Sequence, residues 1–234
     1  MPKIGAVIAI TKHSRLLLDG IMSIAKQVDR VAVLYSGGND CDWDKIVGTV
    51  LNKPNFVGAI VTGTICDKPC ICVKRDSANR SSLFNGGLQL FGEDYDYIVI
   101  TDGGVVFRHD KVSLSIDALS KHEMASCVVS DFSVLYDNDV LIRHYEHPFD
   151  IIMMKDGVHP NINCVIRRRC MVPFNEELST HDDYEWIGRV GMTGLVYHIP
   201  ESLHTIAAMD RIIDQVTVDK IKDIIFSQYG LSNG

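Results

Sequence analysis

The segment YIVITDGG, Tyr97 to Gly104, runs an apolar strand pattern into Asp102 and then into Gly103 and Gly104. A carboxylate that ends a buried strand stands where ligands meet a sheet, and glycines beside it admit close approach of ligand atoms. The plainer alternative is a tight turn carrying a solvated aspartate. Asp182 and Asp183 form a second acidic site and open an apolar-periodic segment. A helix N-terminus favours carboxylates through its dipole, so capping accounts for this pair as readily as chemistry does. Cys66, Cys70 and Cys72 crowd together, yet no fourth ligand sits at zinc spacing, and they read as free thiols. His144 and His147 read as ordinary surface or core histidines. In "RRR", strand alternation puts Arg167 and Arg169 on one face, as a basic patch or a solvated edge.

Those residues need elements to hold them. Lys3 to Thr11 reads as a buried strand, and Ser14 is placed to cap a helix with Leu17, Ile21, Ile24 and Val28 at helical spacing. RVAVLY is the next strand, ending in the turn SGGND. Asp42 is placed to cap a short helix to about Leu51, with VGAIVTG and CICVK as further strands. Ser77 to Phe91 reads as a helix despite Gly86 and Gly87, and leads into the strand Tyr97–Thr101. Alternating strands and helices predict an α/β fold: a Rossmann-like, mostly parallel sheet with helices on both faces. Asp102 then lies at the carboxyl end of a strand, where ligands bind in such sheets.

The second half predicts shorter strands at ASCVVSDFSVLY, DVLIRHYE, DIIMM and NCVIRR, a helix beginning near THDDYEWIGRVG, the strand GLVYHIP, and a final helix over Val216 to Tyr229. With no linker, repeat or low-complexity segment, residues 1–234 read as a single domain. Its parts are 1–110, 111–205 and a helical tail, 206–234.

The chain has 234 residues, 46% of them hydrophobic, which is ample for a core. Its apolar runs are strand length, short of the roughly 20 residues that span a bilayer, and the first residues lack a signal-peptide pattern. Seven cysteines, an odd number, fit a reducing compartment better than a disulfide framework. Together these predict a cytoplasmic protein. A formal net charge of −7 supplies no global field for a polyanion.

The ordered elements resemble the GT-A glycosyltransferases, particularly the inverting family-2 type, over about the first 200 residues. SIAKQ, Ser23 to Gln27, is similar to that family's "SL..Q" element. FNGGLQLFGEDYDYIVITD resembles the run leading into its Asp-x-Asp motif, and FNEELSTHDDYEWIGRVGMTG resembles the segment carrying its acidic catalytic pair. There are departures. Gly104 stands where the family has a second aspartate, and Phe84 stands where it has an arginine, with Arg80 one helical turn earlier. The strand ending at Tyr35 is followed by Ser36 and, further on, Asp40, in place of the nucleoside-contacting aspartate.

The resemblance implies transfer of a sugar from a nucleotide-diphosphate donor to a hydroxyl acceptor by a single inverting displacement. It implies that Thr11, Lys12, Ser36 and Asp40 border the nucleoside and diphosphate, with Arg80, Asp102, Gly103, Gly104, Trp186 and Arg189 completing the donor site. Asp102 would reach the diphosphate through Mn²⁺ or Mg²⁺, with His198 as a late histidine near the metal. Asp183 is the implied general base, with Asp182 beside it. The acceptor is open among a glycan, a small molecule and a hydroxylated base in nucleic acid, the last opposed by the net charge. Two rivals stand. A sugar nucleotidyltransferase normally carries a glycine-rich basic loop after its first strand, which AITKHSRLL lacks. An inactive nucleotide-sugar-binding or scaffold protein would explain the missing second carboxylate.

Overall fold

A computed structural model describes residues 1–37, 40–136, 141–144, 162–178 and 182–207. Strands β1 (Ile4–Ile10) and β2 (Arg30–Tyr35) are joined by helix α1 (Leu17–Ala25). Helix α2 (Asp40–Lys45), widening into a turn over Ile46–Val50, leads to β3 (Asn52–Val57), β4 (Ile60–Ile65) and β5 (Lys68–Lys74). Helix α3 (Arg80–Leu88) carries the chain to β6 (Tyr97–Asp102), β7 (Val105–Phe107) and α4 (Lys111–Lys121). There follow β8 (Ala125–Leu135), β9 (Leu141–His144), β10 (Cys164–Arg167), α5 (Asp182–Thr193) and β11 (Leu195–Ala207).

The described strands form one sheet in the order β3-β4-β5-β2-β1-β6-β10-β8-β11-β7, with β9 paired to β8. The parallel character expected from the sequence belongs to β5-β2-β1-β6 and to the β8–β11 pair, while antiparallel pairs build both flanks. The chain runs outward from β1 to β2 and β5, then crosses back to β6 on the other side of β1. Strand order reverses there, and ligands of open α/β sheets bind at such a point.

Side-chain alternation builds two cores. Ala6, Ile8 and Ile10 of β1, with Val31 and Val33 of β2 and Val99 of β6, pack with residues of α1, α2 and α4. Val7, Ala9, Ala32, Leu34, Ile98 and Ile100 pack on the other face with residues of α3 and α5. Consecutive residues of β6 therefore serve different faces. Asp102, in phase with Ile98 and Ile100, turns toward α3 and α5, and Thr101 turns toward α4.

Several local expectations are corrected. VGAIVTG is half of a hairpin, because Gly58 adopts φ +61 and turns the chain between β3 and β4. Ser14 closes the turn before α1, its Oγ accepting from Leu16 N at 3.2 Å, and Asp42 lies inside α2. The helix expected from Ser77 is delayed to Arg80, because Ser77 has φ +56 and Asn79 supplies the cap by accepting from Ser82 N at 2.8 Å. The arginine run does not share a strand face: β10 ends at Arg167, and the next three residues form one tight turn. Arg167 donates to Ala125 O and Leu119 O, closing off the carboxyl end of α4. Helix α4 itself escaped the sequence reading, although Val112, Ile116 and Leu119 keep helical spacing. His147, DIIMM and the expected final helix lie outside the described residues, as do the side chains of β9, including that of His144.

Candidate functional site

The ends of three strands meet at one edge. Ser36 N donates to Ile10 O at 2.8 Å, and Gly103 N donates to Ala9 O at 2.7 Å, joining the segments that follow β2 and β6 to β1. Thr11 is half-buried beyond β1, Lys12 is exposed, and Ser36 is half-buried beyond β2. Asp40 begins α2, and its side chain lies outside the described residues.

Arg80 is the centre of the site. Its Nε and Nη2 donate to the two oxygens of Asp102 at 2.6 and 2.8 Å, a bidentate pair. Nη1 donates to Asp182 Oδ1 at 2.8 Å and lies 3.6 Å from Asp183 Oδ2. Ser81 Oγ donates to the other oxygen of Asp182 at 3.0 Å. Three carboxylates from β6 and α5 thus converge on one guanidinium at the first residue of α3. Each position follows from local sequence: Asn79 starts α3 just before Arg80, the pleat aims Asp102 at α3, and the aspartates open α5, where the dipole favours them.

With all groups ionised the cluster sums to −2. Burial pushes the Asp182 carboxyl above its usual range, Arg80 pulls it back, and Asp183 pushes it up. Burial works against the charge of Arg80 but is outweighed by Asp102, Asp183 and Asp182, which hold it protonated. The Asp102 side chain, at 28%, is the most exposed of the three carboxylates and the one open to a ligand.

Gly103 and Gly104 answer to packing. A Cβ on Gly103 would come within 2.5 Å of Ile10, and one on Gly104 would overlap the Ser14 side chain. Gly104 also holds φ +82, which side chains rarely adopt. The turn is glycine because the segment after β1 lies directly against it. Gly104→Asp is therefore expected to destabilise the fold by about 1–3 kcal/mol instead of creating a cation ligand. Denaturant midpoints with Mn²⁺ titration check this: unchanged stability with tighter metal binding would show that the turn can host the carboxylate.

Other expected members stand elsewhere. His198 Nε2 pairs with Asp131 at 2.8 Å, and its strand, β11, is three places from β6 in the sheet, roughly 14 Å at usual strand spacing. It is not part of the Asp102 cluster. Trp186 is wholly buried: its ring stacks on Phe174 at 4.7 Å and 2°, and its indole donates to Val172 O at 2.8 Å. Stacking on a sugar is thereby ruled out for it in this arrangement. Phe84 lies on the other side of Phe174, also at 4.7 Å, and beneath the Arg80 guanidinium at 5.5 Å. Phenylalanine at that position joins α3 to α5 and supports Arg80. Arg189 pairs with Glu185 one turn back, its Nη2 donating at 2.8 Å.

Three participants went unread in the sequence. Ser81 fixes Asp182. Asn163, just before β10, accepts through Oδ1 from Thr101 Oγ1 at 2.7 Å and from Asp102 N at 3.3 Å. Arg75 follows β5, its backbone N donating to Tyr35 O at 2.9 Å, and its exposed guanidinium lies against Gly86 of α3, where a Cβ would approach it to 2.9 Å. The glycine at 86 is the sequence trace of that contact.

Among the described residues no group of three His, Cys, Asp or Glu forms a metal cage. The donor set fits a divalent ion only as a shared one. Asp102 offers a partly exposed carboxylate within a cluster in formal negative excess, and the remaining ligands would come from phosphate and water.

No protein-family model matches the chain, and no curated protein matches it by sequence. Solved structures do match. Glucosyl-3-phosphoglycerate synthase from Mycobacterium tuberculosis, in complex with Mn²⁺, UDP and phosphoglyceric acid, superposes with TM-score 0.63 at 13% identity, covering 100% of this chain and 80% of that one. Residues 1–349 of TarS from S. aureus superpose with TM-score 0.62 at 9% identity, covering 97% and 71%. At such identities the likeness concerns the fold. The chain has the GT-A glycosyltransferase fold.

Proposed function

We propose that this GT-A-fold protein is a glycosyltransferase that moves a sugar from a nucleotide-diphosphate donor, of the UDP-sugar class, to an acceptor hydroxyl with inversion. The observation that carries the reading is the convergence of Asp102, Asp182 and Asp183 on Arg80 at the carboxyl edge of β6, beside the reversal of strand order. The M. tuberculosis synthase holds UDP with Mn²⁺, and supports the same donor class here.

In this reading Thr11, Ser36 and Asp40 border the nucleoside, while Lys12 and Arg75 meet the diphosphate as cations. Asp102 would hold a divalent ion together with phosphate oxygens, and such an ion would offset charge on the leaving diphosphate. Gly103 and Gly104 let the segment after β1 pack directly on the end of β6, which sets the edge where the diphosphate would lie. Asp182, bonded to Arg80 and Ser81 through both oxygens, holds α5 against α3 and so aims its neighbour. Asp183 takes the proton of the acceptor hydroxyl during in-line attack at the anomeric carbon. The acceptor remains a hydroxyl compound of open class, nucleic acid being disfavoured by the charge of −7. No helix among the described residues is long and apolar enough to cross a membrane, and the six described cysteines are free thiols. The thiols support a reducing, cytoplasmic setting.

The glycine at 104 favours one second reading, a nucleotide-sugar-binding protein without turnover. Mass spectrometry of reactions with a panel of nucleotide sugars separates the two: release of nucleotide diphosphate supports transfer, and tight donor binding with no turnover supports the binding module. Calorimetry adds a sharper test. UDP with Mn²⁺ is expected to bind more tightly than UMP or uridine, because Asp102, Lys12 and Arg75 all act on the diphosphate. Equal affinity for the three would remove the basis for the phosphate site.

A further inference from the structure

Behind Asp102, on the opposite face of the sheet, lies a buried polar network that the proposed reaction does not use. Lys111, the first residue of α4, is 1% exposed. Its ammonium donates to Asn163 O at 2.8 Å, meets His204 Nδ1 at 2.8 Å and Ser130 Oγ at 3.3 Å, and lies 4.4 Å from the centre of the Phe107 ring. Asn163, Ser130 and His204 are buried as well. Burial and the neighbouring Lys111 hold the His204 pKa well below its usual value, so the imidazole is neutral. With Nδ1 accepting from the ammonium, the proton sits on Nε2, which has no hydrogen-bond partner among the described residues.

Burying an ammonium costs stability, so apolar residues would pack this spot more cheaply. What the lysine gains is a grip on Asn163. The pairing of β6 with β10 ends at Ile100 and Cys164, and beyond it the Asn163 side chain takes over from the backbone ladder. Its Oδ1 accepts from both Thr101 Oγ1 and Asp102 N. The amide that carries the site carboxylate is thus fixed by one asparagine, whose own backbone is fixed by Lys111.

The SIAKQ element secures the other end. Ser23 Oγ accepts from Phe107 N at 2.9 Å. Gln27 donates to Arg108 O at 2.9 Å and accepts from Val112 N at 3.0 Å, holding the backbone on either side of Lys111.

We infer that Lys111 is a positioning residue for the donor site, setting Asp102 through Asn163 across the sheet. The inference rests on the reading of Asp102 as the carboxylate that meets a cation and diphosphate. Removing a supporting partner of this kind typically costs about 10–100-fold in metal affinity or activity.

The test uses the full chain carrying Lys111→Met, with Thr101→Val as a second variant that removes one bond to Asn163 at nearly constant volume. UDP with Mn²⁺ is expected to bind about 10–100-fold more weakly to Lys111→Met, while uridine alone binds as to wild type. Amide hydrogen exchange at Asp102 is expected to speed up about tenfold or more, with the amides of β1 and β2 unchanged. Unaltered UDP–Mn²⁺ affinity together with unaltered Asp102 exchange overturns the inference, and so does an equal loss of uridine affinity, which marks general damage. Should Lys111→Met not fold, Thr101→Val decides by the same readouts. A wild-type chain that binds no UDP–Mn²⁺ refutes the proposed function instead, and exchange at Asp102 then decides the link from Lys111 by itself.

Discussion

Asp183→Asn is expected to lower transfer by about 10²–10⁴-fold while leaving donor affinity nearly intact, the usual range for loss of a general base. The asparagine keeps the shape of the side chain and cannot take a proton. Asp183 Oδ1 already accepts from Tyr184 N at 2.9 Å, which fixes the rotamer, and Oδ2 lies 3.6 Å from Arg80. Asp182→Asn is the control. Both oxygens of Asp182 accept hydrogen bonds, from Arg80 and Ser81, so its amide would disturb the seam between α3 and α5 more than the chemistry. Its turnover should fall less and its stability more. Turnover against donor affinity, measured with one nucleotide sugar across both variants, checks the assignment. The reverse ranking would make Asp182 the base, and unchanged turnover in both would leave helix capping as the whole role of the pair.

Arg80→Met is expected to cost about 3–5 kcal/mol of stability near neutral pH, the range for stranding buried charges by removing their partner. Asp182 and Asp183 are nearly enclosed, and the Arg80 guanidinium lies 2.8 and 3.6 Å from them. The loss should depend on pH with a definite sign. Burial already raises the Asp182 pKa, and Arg80 opposes that rise, so removing Arg80 lets it climb further. A carboxyl with a native pKa above its unfolded value binds more protons when folded. Stability therefore grows as pH falls through the native value toward the unfolded one, about 3.9. The gap between variant and wild type should be widest near neutrality and narrow as pH falls toward that unfolded value. Denaturant midpoints across that range check it, and a gap independent of pH would mean the carboxylates are not coupled through Arg80.

The sequence by itself determined what repeats at short range. Apolar runs bounded by turn residues marked β1, β2, β5, β6, β8, β10 and the first half of β11. The two-residue period of YIVITD fixed that Thr101 and Asp102 serve opposite faces once a sheet forms. The carboxylates at 102, 182 and 183 were legible as candidates because strand ends and helix starts are local features. Tertiary structure alone decided their company. Arg80, Asp102, Asn163 and Asp182 come from separate elements, and they meet because β6 lies between β1 and β10, an order no local pattern encodes. The same holds for the residues that changed role. Trp186 and Phe84 became a stack with Phe174, Arg167 became a stop for α4, and His198 went to Asp131. Gly104 shows the division most plainly. The sequence gives its identity, but its left-handed φ and the Ser14 side chain beside it exist only when the segment after β1 packs on the end of β6, and that contact forbids a second carboxylate there.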